Sequence, residues 1–318
     1  MRTEFEFIQN LKSKYSLSRI GDDCAVMPQD AETDLLVTAD MLIEDIDFRL
    51  DWTTPEFLGH KSLAVSLSDI AAMGGDPKWS MISIGVPQVL WNSDFIDRFY
   101  YGWFALAKRY GVELIGGDIS RTDGKLVIDS TVGGEVGKGN AILRSTAKVG
   151  DVIFVTGDLG GAAGGLEFLE SGHRIHDLSS QKDINLALKQ LKPQPQLITA
   201  KLLQDMGIVN SMIDLSDGLS SDLGHICRSS GVGARIDEES IPCNTDLDNH
   251  FSREQILNMA FDGGEDFELL FTVPVKNISQ LNSLNISRIG QITVNVGIIE
   301  LTTPHGVTIL EPKGYRHF

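Results

Sequence analysis

Apolar residues follow two different spacings along this chain. Over Asp94–Gly111, "DFIDRFYYGWFALAKRYG", Phe95, Phe99, Trp103, Leu106 and Ala107 recur every three to four positions, which predicts one buried helix face, and Gly111 supplies a stop. Elsewhere the apolar runs are short, rich in β-branched residues and closed by Gly, Asp or Pro. "DLLVTA" (34–39), "WSMISIGV" (79–86), "VELI" (112–115) and "KLVIDSTV" (125–132) are of this kind and read as strands.

A polar stretch, "RSTAKVGD" (144–151), interrupts the pattern, which then restarts with the strand "DVIFVTG". A Gly-rich turn and helix follow ("GGAAGGLEFLESG"), then the helix "LITAKLLQDMG" and the strand "NSMIDL". The helix "SSDLGHICRSSG", the strand "GARID", the helix "REQILNMAF" and the strand "DFELLFTV" come next, with further strands after them. The break predicts two domains, 1–143 and 144–318. Strands and helices interleave without a strict βαβ rhythm, so the expected class is α+β. "LSDIAAMGG" (67–75) and "LSDGLSSDLG" (215–224) echo one another, each predicting Ser-Asp at the opening of a small-residue helix.

Composition narrows the function. Of 318 residues, 42% are apolar and 22% charged, as in a globular protein, and the net charge is −17. Such a surface repels nucleic acid and anionic lipid, which excludes both as main partners. No run is long and apolar enough to span a bilayer, and the start, "MRTEFEFIQNLKSKYS", does not read as a signal peptide, so a cytoplasmic location is expected. Cys24, Cys227 and Cys243 are widely separated and form no C-x-x-C pair; they read as buried, inert thiols. The carboxylates beside Cys24 would raise its thiol pKa.

Carboxylates supply the candidate chemistry. Asp recurs at the ends of apolar stretches in "IGDD" (20–23), "TAD" (38–40), "SLSD" (66–69), "IGGD" (115–118), "IDLSD" (213–217) and "GGED" (263–266). Any one of these could cap a helix or sit in a turn. Together, Asp23, Asp40, Asp69, Asp118, Asp214 and Asp217 suit hard divalent cations such as Mg²⁺, which take oxygen ligands from several strand ends. "MIDLSDGLSSDLGH" (212–225) holds Asp214, Asp217 and Asp222 with no Lys or Arg, so metal ions are expected there as counter-charge. His225 lies between Leu223 and Ile226 and reads as structural; His is otherwise scarce near these motifs, which argues against zinc. "GGEVGKGN" (133–140) fails the P-loop pattern and "GDLGGAAGG" (157–165) fails G-x-G-x-x-G. The second nevertheless opens a helix whose free amides could hold an anion. Arg144, in "ILRST", could grip a nucleotide phosphate in fork geometry.

The blocks "GDDCAV", "HKSLAVSLSDIAAMGG", "LIGGDISR", "ILRSTAKVGDVIFVTG", "SMIDLSDGLSSDLGHI", "GARID", "GGEDFELLFTV" and "KGYRHF" occur in order along nearly the whole chain. In these blocks the chain resembles the thiamine-monophosphate kinase family, of the ATP-binding superfamily of aminoimidazole ribonucleotide synthetase. The resemblance implies a two-domain α+β fold in which each domain is a mixed sheet with packed helices. It also implies a homodimer formed through the N-terminal sheets, with ATP between the domains. It carries metal ligation onto Asp23, Thr38, Asp40, Asp69, Asp118, Asp214 and Asp217, with Ala39 offering a backbone carbonyl where the family often has Thr. ATP contacts fall on Gly117, Asp118, Arg144 and Ser216, and a substrate contact on Glu265. Three positions depart from the family's pattern. Asp47 stands where a substrate-contacting His is common, Ser66 replaces a usual Asn, and Pro312 occupies a place where an aromatic often stacks on the substrate.

The implied reaction transfers the γ-phosphoryl of ATP to thiamine monophosphate, giving thiamine diphosphate, with several Mg²⁺ ions. A phosphate monoester has a second pKa of about 6, so the acceptor oxygen is already anionic and no general base is expected. Two other readings share the acidic site: an amidine-forming ATP-dependent synthetase acting on a ribonucleotide, and a non-catalytic nucleotide- or metal-binding protein. The selenophosphate synthetase and hydrogenase-maturation relatives need an N-terminal reactive Cys and a C-terminal Cys respectively, and neither is supported here.

Overall fold

The computed structural model describes residues 4–315; Met1–Thr3 and the Arg316–Phe318 end of "KGYRHF" lie outside the described residues. The first half contains α1 (Glu4–Tyr15), β1 (Ala25–Pro28), β2 (Thr33–Ile43), α2 (Pro55–Ala72), β3 (Asp76–Pro87), the single turn α3 (Gln88–Trp91), α4 (Phe95–Tyr110), β4 (Glu113–Thr122) and β5 (Val127–Gly137). Its sheet has the order β1-β2-β5-β3-β4, with β3 and β4 parallel and the other pairs antiparallel. Burial alternates along β2 and β5. Leu36, Thr38, Asp40 and Leu42 share the inner face with Ile128, Ser130 and Val132, while Ala39 and Met41 turn to the open face.

Helix α2 covers the inner face. Thr54 caps it by accepting from Phe57 N, and Pro55 occupies its first turn. Fourteen of its eighteen residues are buried, because the first sheet, α4 and the second half of the chain surround it. The contact with α4 is backbone to backbone. A Cβ on Gly59 would fall 1.9 Å from the Phe99 carbonyl oxygen, and one on Gly102 would fall 1.9 Å from that of Glu56. Helix α4 itself follows the spacing predicted from the sequence, with Phe99, Trp103, Leu106 and Ala107 buried and Gly111 ending it in the left-handed conformation.

The second half contains β6 (Val152–Thr156), α5 (Gly161–Glu170), α6 (Gln181–Leu191), α7 (Leu197–Met206), β7 (Ser211–Asp214), α8 (Leu219–Ser230) and β8 (Gly233–Asp237). After these come α9 (Arg253–Asp262), β9 (Leu269–Val273), β10 (Ile286–Thr293), β11 (Ile299–Thr303) and β12 (Gly306–Ile309). Its sheet has the order β12-β11-β8-β10-β6-β9-β7, with β8 and β11 parallel and the rest antiparallel. Every residue of β6, β7 and β9 is buried, which is why β6 and β9 read as nearly continuous apolar runs; in β7 the buried ends are Ser211 and Asp214.

The fold is therefore α+β, two mixed sheets each with packed helices, as the sequence pattern predicts. The 143/144 division falls in the connection between β5 and β6, yet the largest core cluster crosses it, joining Leu36, Leu67 and Ile82 to Met212, Phe271 and Val273. The echo between halves is corrected: Asp69 lies in the last turn of α2, whereas Asp217 precedes α8. Helix α6, poor in long apolar runs, escaped the sequence reading.

The α2–α4 contact has a measurable consequence. Gly102→Ala must push two backbones apart and is expected to lower the unfolding free energy by about 3 kcal/mol. Gly124→Ala, whose added Cβ meets nothing within 4 Å, should leave it within about 0.5 kcal/mol; urea denaturation of the pair checks this.

Candidate active site

Four separate elements deliver carboxylates to one place. Asp23 comes from the loop before β1, Asp40 from β2, Asp69 from the last turn of α2 and Asp214 from the end of β7. Ligand oxygens of Asp23, Asp69 and Asp214 all lie within 4.8 Å of one another. Hydroxyl groups orient them: Thr38 Oγ1 donates to Asp69, Ser66 Oγ to Asp40 at 2.6 Å and Ser68 Oγ to Asp214 at 2.6 Å. Arg144 is the cation that meets this group. Its Nη2 donates to Asp23 and its backbone N donates to Asp22 Oδ1 at 3.2 Å. Among the described residues, no Lys or Arg forms an ion pair with Asp40, Asp69 or Asp214.

Burial without sufficient counter-charge raises every pKa here. Burial pushes Asp23 up to about 8, with Asp214 and Asp22 adding to the effect and Arg144 opposing it. Asp214 rises to about 6, mainly by burial; the Ser68 hydrogen bond opposes this and the Asp40 charge adds to it. Asp69 is held well above the carboxylate range by burial and then by Asp40, Asp214 and Asp23. Asp40 is raised by burial, against the pull of its Ser66 hydrogen bond. Arg144 goes the other way for its type: burial lowers its pKa, but the charges of Asp23 and Asp22 outweigh that and raise it. Asp23 Oδ2 is buried with no hydrogen-bond partner. An all-oxygen donor set with a spare buried oxygen fits a hard divalent cation.

A second group, Asp217, Asp222 and His225, adjoins the first. Asp222 Oδ2 accepts from the backbone N of Asp217 at 3.2 Å and of Gly218 at 3.1 Å, fastening the turn that enters α8. Burial drives the Asp222 carboxyl well above its usual range, with the charges of Asp217 and Asp214 adding. His225 is pushed down to about 3 by burial and by Arg228, whose guanidinium lies 3.2 Å from its Nδ1, so the ring is neutral.

Beside these groups lies a cavity of 430 Å³ between the two halves. Its walls are acidic and aromatic: Asp40, Asp47, Asp217 and Glu265 line it with Trp52 and Tyr315, and Ser216 and Val65 complete the side nearest the carboxylates. Arg49 is the Lys or Arg on the described lining, and it is stacked over Trp52 at 4.7 Å. Glu265 has φ 55° and donates its N–H to Ser216 O at 2.8 Å. Its carboxylate meets Lys61 Nζ at 2.8 Å and accepts from Gln190.

Several expected site residues lie elsewhere. Gly117 and Asp118 are exposed on the edge strand β4. In register, Asp118 faces Ser83, then Asp129, then Met41, which puts it on the open face of the sheet. It stands three strand spacings, about 14 Å, from β2, and on the side opposite Asp40. It therefore does not join the carboxylate group within one chain. Ala39 shares that open face. Pro312 approaches Gly224 of α8 and is not part of the cavity lining; Tyr315, three residues on, is. Asp47 does line the cavity and uses Oδ2 to accept from Ile43 N at 2.8 Å. Arg144 is paired with Asp22 and Asp23, so a nucleotide phosphate would have to share it.

The Gly-rich turn before α5 holds no free anion site. Asp266 fills it, accepting from Gly160 N at 2.7 Å and Ala162 N at 3.1 Å. All three cysteines are free, and burial raises each thiol, with nearby carboxylates adding at Cys24. Trp52, Tyr315 and the full α2 stripe were missed from sequence. The stripe was nevertheless written in "HKSLAVSLSD", where Lys61, Val65, Ser68 and Asp69 keep helical spacing.

Comparison with known proteins bears on the family of the chain. Residues 21–136 match the family model "AIR synthase related protein, N-terminal domain", and residues 148–299 match "AIR synthase related protein, C-terminal domain". The fold and these two matches define a two-domain AIR synthase related protein. The thiamine-monophosphate kinase of Escherichia coli (strain K12) is 40% identical over 307 residues, covering 94% of this chain and 91% of that protein. That of Bacillus subtilis (strain 168) is 38% identical over 306 residues, covering 94% and 93%. The solved structure of AaThiL complexed with AMPPCP and TMP matches with a TM-score of 0.89 at 32% identity, over 99% of this chain and 97% of that one. The chain belongs to the thiamine-monophosphate kinase family.

The raised carboxylates set a pH dependence for the metal-free protein. Unfolded, Asp ionises near pH 3.9, so the stability contributed by protonated Asp23 and Asp214 is complete below that pH. It is lost as pH rises through about 6 for Asp214 and about 8 for Asp23. Thermal melts in chelator should give a lower Tm at about pH 8.5 than at about pH 5.5, and Asp23→Asn should flatten that slope. Mg²⁺ should raise Tm more at the higher pH, because it no longer competes with protons.

Proposed function

We infer that this chain transfers the γ-phosphoryl of ATP to thiamine monophosphate, forming thiamine diphosphate. The observation that carries the reading is the junction of two features in one place: a buried group of oxygen ligands, and an acidic, aromatic cavity that opens beside it. Near full-length similarity to thiamine-monophosphate kinases, one of them solved with AMPPCP and TMP, supports it.

The cavity suits the acceptor's ring. Thiamine carries a cationic thiazolium, and flat aromatic walls with Glu265 and Asp47 attract a flat cation. The acceptor phosphate, dianionic above about pH 6, attacks without a base, and no His lines the described cavity. What opposes reaction is the repulsion between two polyphosphate-like anions, so positioning and cations carry the catalysis.

Asp23, Asp40, Asp69, Asp214 and Asp217 would hold Mg²⁺, with the Thr38 hydroxyl and the Ala39 carbonyl as further oxygens. When bound, Mg²⁺ supplies the positive charge that offsets repulsion between the phosphates. The chain's own groups pre-arrange this: Thr38, Ser66 and Ser68 hold one oxygen each of Asp69, Asp40 and Asp214, leaving the other free to ligate. Ser216 and Arg144 would contact the nucleotide, with Arg144 moving part of its fork from the Asp pair to a phosphate.

Gly117 and Asp118 fit this scheme in a homodimer. The open face and β4 edge of the first sheet expose Met81, Ile115 and Ile119, and a second copy packed there would bring the first copy's Asp118 to the partner's site. The protein would work in the cytoplasm, where ATP is made and free thiols persist; among the described residues, no helix is long and apolar enough to cross a membrane.

Purified protein mixed with ATP, Mg²⁺ and thiamine monophosphate should yield thiamine diphosphate on chromatography, and none should form from unphosphorylated thiamine. Product from thiamine alone would contradict the assignment. Asp217→Asn should cost about a hundredfold or more in kcat/KM, while its Tm stays within about 3 °C. Full turnover by that variant at low Mg²⁺ would remove Asp217 from the metal set.

A further inference from the structure

We propose that Lys61 is a positioning residue of the substrate site, fixing the Glu265 carboxylate across the boundary between the two halves. The proposal rests on the reading of the 430 Å³ cavity as the thiamine monophosphate site.

Lys61 is only 4% exposed, and a buried lysine needs a partner. The partner is Glu265 Oε1 at 2.8 Å, so an N-terminal helix grips a C-terminal loop. Gln190 of α6 donates to Oε2, and the Glu265 N–H binds Ser216 O. These three restraints converge on a non-glycine residue at φ 55°, a conformation that persists only where its surroundings over-determine it. Glu265 lines the cavity and Lys61 does not; Lys61 stands behind the carboxylate and acts through it.

An ion pair of this kind, with Lys61 buried and Glu265 open to the cavity, is a weak source of stability compared with apolar packing, so its use is orientation. The orientation matters because of where α2 leads. Lys61, Val65, Ser68 and Asp69 lie at i, i+4, i+7 and i+8 and share one face. Eight residues of helix span about 12 Å, so a single rigid rod holds Glu265 at one end and the carboxylate group at the other. Through Lys61, the wall that meets the substrate's cationic ring keeps a set distance from the place where the phosphates react.

Steady-state kinetics on Lys61→Met, Glu265→Gln and the double variant test this, with thiamine monophosphate and ATP varied in turn. Lys61→Met should raise the KM for thiamine monophosphate about tenfold, with kcat changed less than about threefold and the KM for ATP within about twofold. Glu265→Gln should do the same, and the double variant should be no worse than the poorer single, because both act through one carboxylate. If Lys61→Met does not fold by circular dichroism, Lys61→Gln with Glu265→Gln, whose amides can pair, carries the same comparison. A thiamine monophosphate KM in Lys61→Met within about twofold of wild type, or an equal rise in the KM for ATP, overturns the proposal. An unaffected Glu265→Gln overturns it too, by removing Glu265 from the substrate site. Absence of thiamine diphosphate formation by the wild-type protein instead overturns the function on which the proposal rests.

Discussion

Carboxylates of like charge, taken out of water and set within ligand distance of one another, are the constraint to which the rest of this structure answers. Asp23, Asp69 and Asp214 each repel the others, and Arg144, which pairs with Asp22 and Asp23 and draws Asp214 more weakly, does not offset the whole group. Burial and mutual repulsion raise all three, so that the folded chain by itself favours protons on Asp23 and Asp69 near neutral pH and on Asp214 below about pH 6. A fold tolerates such a group only when its scaffold is rigid and a ligand restores the missing charge. Three hydroxyls supply the local rigidity, each holding one carboxylate in a single orientation.

The larger rigidity comes from α2. A helix buried on almost every side usually serves only as core, yet this one also carries Lys61, Ser66, Ser68 and Asp69 into polar surroundings. Glycine-mediated contact with α4 on one side and packing against α7 and β7 on another hold it between the two sheets. The core crosses from one half to the other around it, so the site between the halves is built on a shared wall. That arrangement lets Asp214, from the second sheet, accept a hydrogen bond from Ser68 of α2 and so lie beside Asp69 of the same helix.

Reading the chain alone picked out carboxylates at element ends, and most of those picked do converge. Asp23, Asp40, Asp69 and Asp214 meet around the Thr38, Ser66 and Ser68 hydroxyls, and Ser216, Asp217 and Glu265 face the adjoining cavity. What the chain alone did not show about placement shares a cause. Asp118 sits in a motif that looks like its neighbours, but the register of β4 turns it to the open face. The amides before α5 looked free, but Asp266, distant in sequence, occupies them. Pro312 drew attention as a departure from the family, while Tyr315 provides the aromatic surface at the cavity.

The elements and the chemistry on offer are written locally in the chain. Alternation in β2, the unbroken apolar runs of β6 and β9, and the spacing in α4 are local consequences of burial on one face or two. The acidic motifs likewise offer oxygen donors with few Lys or Arg nearby in sequence. Packing settled which carboxylates meet, which are consumed by backbone amides, and that one helix runs from the Glu265 wall of the cavity to the carboxylate group. Strand order, register and helix contacts are set by packing between residues from about thirty to more than a hundred positions apart, and no local pattern encodes those pairings.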